Sequence, residues 1–428
     1  MPTKLEDADA RGAAVSPESL QRIPASEAQP KGETTCCVVG AGPAGAVLAL
    51  LLARQGIDVT LIEAHQDFDR DFRGDTLMPS TMEIMDQLGL ADRLIEMSDA
   101  TVSHYMVQTP AGSFPAWDMR SLKTKYPYIT LMPQSRFLPA IVTEAQRYAS
   151  FKLLGGATVE GLLEQDGRVC GVRYRAKDGW HELRASLVIG ADGRFSVVRR
   201  LAGFQPVQNA QSIDILWFRV PRQEGDEQLK GKVFTGNGHV LFPFDRGDQW
   251  QIAYSMPKGA YRQLRDGGIE ALRASIANVV PALTSNVSHL RDWKQTSMLS
   301  VESSRVSCWH RPGLLVIGDA AHVMSPVGGV GINYAIQDAV VTANVLSGPL
   351  RGGNVKDSHL ARVQRQRELP TRVMQAMQNL ILRQLLSGTT ASAVPWPVRL
   401  LLRTPLMYRL RSRAVGLGVR RVRLQAQG

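Results

Sequence analysis

Residues 35–63 read TCCVVGAGPAGAVLALLLARQGIDVTLIE: an apolar run, glycines spaced Gly40-x-Gly42-x-x-Gly45, a long apolar stretch, and a second run ending on an acid. Few backbone paths accommodate that order. Residues 35–39 are predicted as a short buried strand, 43–55 as a helix opened by Pro43 and stopped at Gly56, and 57–62 as a second strand. Such a unit places both strands parallel in one sheet. Gly40 is expected to permit the tight turn, Gly42 to let a diphosphate approach the backbone, and Gly45 to let helix and strand pack closely. The helix start at Pro43 and Ala44 offers free N–H groups and a positive dipole end to an anion. Glu63 lies 18 residues after Gly45, where an acid can accept hydrogen bonds from a ribose. Residues 36–53 are uncharged and imitate a membrane span, but their glycines and Pro43 break them into strand, turn and helix. The fingerprint says dinucleotide. It does not separate FAD from NAD.

The rest of the chain alternates between two kinds of structure. Helices are predicted at 80–88 and 136–148, followed by strands at 159–164, 169–175 and 180–184, with Asp166-Gly167 and Asp178-Gly179 as hairpin turns. An apolar strand at 187–189 leads into Gly190-Ala191-Asp192-Gly193. Residues 212–256 are β-rich and aromatic, with Trp217, Phe218, Phe234, Phe242, Phe244, Trp250 and Tyr254, and read as a separate sheet. A helix at 269–279, a buried strand at 314–317 and a long helix at 331–346 complete the pattern. At 428 residues and 44% hydrophobic composition, two or three domains are expected.

The net charge of +11 is unevenly placed: residues 395–428 hold eight arginines (399, 403, 409, 411, 413, 420, 421 and 423) and no acid. The favoured reading is C-terminal helices packed on the body, because Pro405, Gly416 and Gly418 interrupt any long amphipathic face. The alternative is weak association with a membrane surface. Residues 1–34 lack apolar periodicity and resemble neither a signal nor a transit peptide, so a disordered extension is expected. Four cysteines make no disulfide framework, and a reducing cytoplasm fits. No metal-ligand spacing appears, and nucleic acid is not an expected partner.

Two later motifs separate FAD from NAD. GADGRFSVVR contains Asp192-Gly193, and GDAAHVMSPVGGVGIN contains Gly318-Asp319, each directly after an apolar strand. With Gly40-x-Gly42-x-x-Gly45 in front, residues 35–350 resemble the class A flavoprotein monooxygenases of the para-hydroxybenzoate hydroxylase type. The resemblance implies an α/β fold: a Rossmann-like FAD-binding domain (parallel sheet with a β-meander crossover), a mostly antiparallel substrate-binding sheet, and C-terminal helices. Accordingly the FAD-binding domain is expected at 35–110, 134–205 and 295–350, the substrate-binding domain at 111–133 and 206–294, and a helical, Arg-rich segment at 351–428. The resemblance further implies that Asp319 accepts a hydrogen bond from the ribityl chain and that Asp192 sits where flavin and nicotinamide binding meet. Arg73 would contact the diphosphate, and Gln134 and Arg136 would lie near the flavin. The loop from Pro326 through Gly329, Gly331 and Ile332 to Asn333 would run beneath the ring, with backbone N–H groups at 331–333 stabilising negative charge on reduced flavin. Ile332 departs from the family's usual Met or Leu.

Carried over to activity, the resemblance implies that NADPH or NADH reduces FAD, that O2 adds to give a C4a-hydroperoxide, and that a hydroxyl passes to an electron-rich, aromatic or lipophilic substrate. Trp217, Phe242, Phe244 and Tyr254 are candidates to line its pocket. No base is identifiable, and His322 reads as a structural brace of its loop. A single fingerprint disfavours disulfide and quinone reductases, and the absence of GWxWxIP disfavours flavin halogenases. A reductase of prenyl double bonds and a non-catalytic flavin-binding accessory protein remain alternatives.

Overall fold

The computed structural model describes residues 29–68, 76–110, 112–208, 213–386 and 404–425. The strand Gln29–Val39 is paired in parallel with Val59–Glu63 on one side and Gly179–Gly190 on the other. Leu314–Val316 and Phe151–Gly155 extend this sheet in parallel outward. Between the first two strands runs the helix Pro43–Ala53, whose residues from Ala44 on are all buried. A helix apolar on every side needs cover on every side. It has the sheet on one side and the helices Gln134–Ala145 and Gly331–Arg351 on the others.

Two expectations change here. The first strand begins at Gln29, so residues 29–34 pair with His181–Ala185 and belong to the sheet instead of a disordered extension. Their polar side chains gave no strand signal, because backbone pairing at a sheet's end does not require apolar residues. The third meander strand and the apolar strand before Asp192 are one element, Gly179–Gly190. It is antiparallel to Arg168–Ala176 at its start and parallel to Gln29–Val39 along its length. Asp166 and Gly167 both adopt positive φ, as the hairpin turn between Thr158–Gln165 and Arg168–Ala176 demands.

The second sheet has seven strands in the order Thr296–Val301, Ile213–Pro221, Gln249–Pro257, His239–Asp245, Lys232–Gly236, His104–Thr109, Gly112–Asp118. The expected boundaries had left 104–110 and 295–301 in the first unit. Pairing puts both segments in the second, since a strand takes its partner from three-dimensional proximity, not chain order. Side chains alternate between two faces. Leu216, Phe218, Leu241, Trp250, Ile252 and Tyr254 pack with Leu272 and Ile276 of the helix Gly268–Val279. Beside that core, buried Asp226 accepts hydrogen bonds from Trp250 Nε1 (2.9 Å), Asn286 Nδ2 (2.7 Å) and the Gln223 N–H (2.8 Å).

The C-terminal helix Pro405–Leu417 packs on the strand Gly112–Asp118, with Gly416 wedged against Met119, Leu122 and Pro79. Buried Ser412 accepts the Asp118 N–H at 2.9 Å, and Arg421 pairs with Glu83. Packing on the body is thus what the described part of this segment does. Arg399 and Arg403 lie outside the described residues. Among the described residues no helix is long and apolar enough to cross a membrane.

Candidate flavin and substrate site

The glycine fingerprint is shaped by lack of room. A Cβ on Gly45 would stand 1.9 Å from the Gly40 carbonyl oxygen, and one on Gly40 would stand 2.6 Å from both the Ala191 oxygen and Asp192 Cα. Gly40 also has φ +98, where a side chain is strained. Gly42 and Pro43 stay half-exposed at the mouth of an otherwise buried helix. That helix has no side-chain cap and no acid in its first turn. Its own ladder starts with the Ala46 N–H on the Gly42 oxygen, so the Ala44 and Gly45 N–H groups precede it. Glu63 is buried across the turn, where its carboxylate accepts the Ala41 N–H at 2.7 Å and the His65 N–H at 3.1 Å.

The other motifs close around this turn. Gly193 adopts φ +83. Asp192 accepts Ser196 Oγ–H at 2.5 Å and the Val198 N–H at 3.0 Å, so its carboxylate organises its own loop and the helix Val197–Leu201. Burial raises its pKa above the ordinary carboxylate value, and hydrogen bonds from Ser196 and the backbone offset only part of that. The resemblance implies that Asp192 sits where flavin and nicotinamide binding meet; the protein contacts of its carboxylate are with its own loop. Arg199, at the end of the same motif, donates to the Asp319 and Ala320 carbonyls at 3.4 and 3.1 Å and so joins the two motifs. It was present in the quoted motif yet carried no separate signal.

The loop Pro326–Asn333 packs beside the segment Thr76–Met78. A Cβ on Gly329 would stand 2.4 Å from Thr76 Oγ1. Asn333 is buried, and its side chain is used up locally. Oδ1 accepts the Met78 N–H and Thr81 Oγ–H, both at 2.7 Å, while Nδ2 donates to the Thr76 and Gly329 carbonyls at 2.9 and 3.2 Å. Asn333 therefore braces the loop through its side chain and offers only its backbone. The helix Gly331–Arg351 starts its ladder with the Tyr334 N–H on the Val330 oxygen, leaving the N–H groups of Gly331, Ile332 and Asn333 ahead of it. Two helix N-termini with uncommitted donors and no acid in their first turns fit an anionic diphosphate and the electron-rich edge of a reduced flavin. The residues present thus suit FAD.

The remaining assignments divide. Gln134 is buried at the start of its helix. Arg136 bonds Asp99 at 2.8 Å and the Met97 carbonyl at 2.8 Å. Arg73 lies outside the described residues. His322 is buried and bonds Asp338 at 2.6 Å, as expected of a brace.

Of the four pocket candidates, Trp217, Phe242 and Phe244 share the sheet face that meets the flavin loop, where Val327, Val330 and Met324 pack among the same clusters. Tyr254 is on the opposite face, under the helix Gly268–Val279, where its hydroxyl bonds Ser275 at 2.6 Å and burial pushes its pKa up to about 12. Strand parity could have excluded it: Tyr254 is offset by one from Ala253, which faces Phe242. In its place come Tyr105 and Trp117. Successive ring centroids from Trp217 through Phe244, Phe242 and Tyr105 to Trp117 are 5.7, 4.4, 5.0 and 5.6 Å apart, one continuous aromatic floor. Buried Gln251 lies on this face opposite Phe244 and accepts from Arg246 Nε at 3.3 Å, while Arg246 Nη1 pairs with Asp99 at 2.6 Å.

Comparison with known proteins agrees with this geometry. The FAD binding domain family matches residues 33–377. A 6-methylpretetramide 4-monooxygenase from Streptomyces rimosus is 32% identical, covering 92% of this chain and 94% of its own length. In fold, the chain is similar to Pseudomonas aeruginosa PqsL solved with 2-aminobenzoylacetate (TM-score 0.73, 20% identity, covering 90% of this chain and 99% of that one). It is also similar to OxyS anhydrotetracycline hydroxylase from Streptomyces rimosus (TM-score 0.73, 20% identity, 91% and 77%). Two helix N-termini suited to FAD, a matching family over most of the chain and a relative of nearly equal length converge: the chain belongs to the FAD-binding-domain family and is a class A FAD-dependent monooxygenase.

Proposed function

We propose that this monooxygenase hydroxylates a flat aromatic substrate lying between the ring floor and the loop Pro326–Asn333, with NADPH or NADH as reductant and O2 as oxidant. The observation that carries the reading is the five-ring floor from Trp217 to Trp117, facing that loop. Aromatic rings at 4.4–5.7 Å spacing offer a broad apolar surface that favours a planar ring system by stacking and by burial. Polar groups gather at one edge: Gln251 and the Arg246–Asp99 pair give direction for a substrate oxygen, and Tyr105, its phenol held neutral by burial, adds a hydroxyl. Bound FAD, once reduced, supplies the activation of O2. The protein's part is to hold the substrate flat and to exclude water with the apolar loop residues Met324 and Val330.

The 32%-identical relative, named for 6-methylpretetramide, supports an aromatic substrate and supplies the first compound to try. Purified yellow protein would be given 6-methylpretetramide and a panel of phenols, quinones and heteroaromatics under labelled dioxygen with each nicotinamide. One labelled oxygen in the product, at a rate coupled to nicotinamide oxidation, is expected. A product that gains hydrogen and no label would replace the reading with reduction.

A further inference from the structure

We propose that Asp338 is the positioning residue of the Gly318-Asp319 turn, fixing that turn for FAD through the Gly318 N–H while His322 and Arg367 hold the carboxylate from its other sides. Asp338 lies inside the helix Gly331–Arg351, past the residues that would meet the flavin. Its Oδ2 accepts the Gly318 N–H at 2.9 Å and bonds His322 Nε2 at 2.6 Å, and its Oδ1 accepts Arg367 Nε at 2.6 Å. Asp338 and Arg367 are fully buried and His322 is 1% exposed. Burial raises the Asp338 pKa more than any other single influence, but the charges and hydrogen bonds of His322 and Arg367 together outweigh it and hold the carboxyl below its ordinary value.

A buried ion cluster is weak as a device for stability, since an apolar replacement of similar volume costs less desolvation. What this one accomplishes is orientation. Gly318 adopts φ +60, and a Cβ there would meet Ala44 of the fingerprint helix at 3.1 Å and Ala335 of the flavin-loop helix at 3.4 Å. The turn is wedged between the two helices whose N-termini would receive the cofactor. Asp338 takes its amide from one side, and Arg199 takes the carbonyls of Asp319 and Ala320 from another. With both hydrogen-bonding sides engaged, the direction of the Asp319 side chain is set. Asn at 338 would keep one acceptor but turn an NH2 toward His322 or Arg367, donor against donor.

The test uses full-length protein stripped of FAD and refilled, and it does not depend on any substrate. FAD dissociation constants, the visible flavin spectrum and urea midpoints would be measured for D338N, R367Q and D226N. D226N removes another buried carboxylate hub, beside the other sheet, and serves as the control for general destabilisation. Folded D338N is expected to bind FAD at least thirtyfold more weakly, with an altered spectrum. R367Q should lose about fivefold, and D226N should lose stability with FAD affinity within threefold of wild type. Wild-type FAD affinity in folded D338N, or an equal loss in D226N, overturns the proposal. Should D338N fail to fold, unchanged affinity in folded R367Q overturns it.

Discussion

The two sheets of this molecule build their functional surfaces by opposite means. Around the first, side chains that look like ligands are spent on the protein itself: Asn333 on four hydrogen bonds, Asp192 on its own loop, Asp338 on a turn. What stays available to a cofactor there is mostly backbone N–H groups, beside glycines too crowded to change. On the second sheet the backbone is an ordinary antiparallel ladder, and the surface facing the flavin loop is made of rings and a few polar ends. A site drawn in backbone tolerates few sequences, so it persists as motifs. A site drawn in side chains on a regular ladder can be redrawn face by face without loss of fold.

The sharpest way to break the contrast is at the crowded glycines. Gly40→Ala combines an unfavourable φ with contacts at 2.6 Å and should cost about 3 kcal/mol, with FAD lost on purification. Urea midpoint and flavin content decide it, and a fully yellow G40A of normal stability would end the backbone-drawn account. Next in size is Asn333→Leu, which strands one N–H donor, a hydroxyl and two carbonyls. A loss of roughly 2–3 kcal/mol and faster FAD release are expected. On the other sheet, Phe242→Ala should weaken binding of an accepted substrate by about 1–2 kcal/mol while FAD affinity stays unchanged, read by substrate titration of the holoenzyme. Tyr254→Phe removes one hydrogen bond on the far face, so stability should fall by about 1 kcal/mol with substrate affinity unaltered.

The smallest effect concerns pH. Asp192 has a folded pKa raised above its unfolded value, so the folded state binds its proton first. Its contribution therefore favours folding as pH falls toward the ordinary carboxylate value of 3.8 and weakens as pH rises through the folded pKa. Asp338, with a lowered folded pKa, has the reverse sign: its contribution is present above the ordinary value and lost as pH falls through the folded one. Stability measured between pH 6 and pH 3 should flatten in opposite directions for D192N and D338N. Parallel changes would show that the two carboxylates are not in the environments described.

Much of the first unit was legible because its signals are local. The strand, turn and helix from Gln29–Val39 to Pro43–Ala53 follow from apolar runs punctuated by glycine, and only the polar start of the strand escaped notice. The Asp166-Gly167 hairpin followed from turn chemistry, and the brace at His322 from its place beside Gly318-Asp319. The Arg136–Asp99 pair was not legible, because a basic residue at a helix start looks the same whatever acid lies across from it. Tyr105 and Trp117 carried no signal because their strands come from a stretch far ahead of the aromatic run they join.

By itself, then, the sequence determined the dinucleotide fingerprint, the parallel sheet and the two helix starts, since each depends on glycine, proline and apolar spacing within a few residues; FAD in particular followed from the family resemblance that three separated motifs carry. Only the tertiary structure decided which face of the second sheet meets the flavin loop, which rings form the floor, and that Asp338 reaches Gly318. Those outcomes depend on strand register and on contacts between segments far apart in the chain. A shift of one residue exchanges the two faces of a strand, and no local pattern records which partner lies across from it.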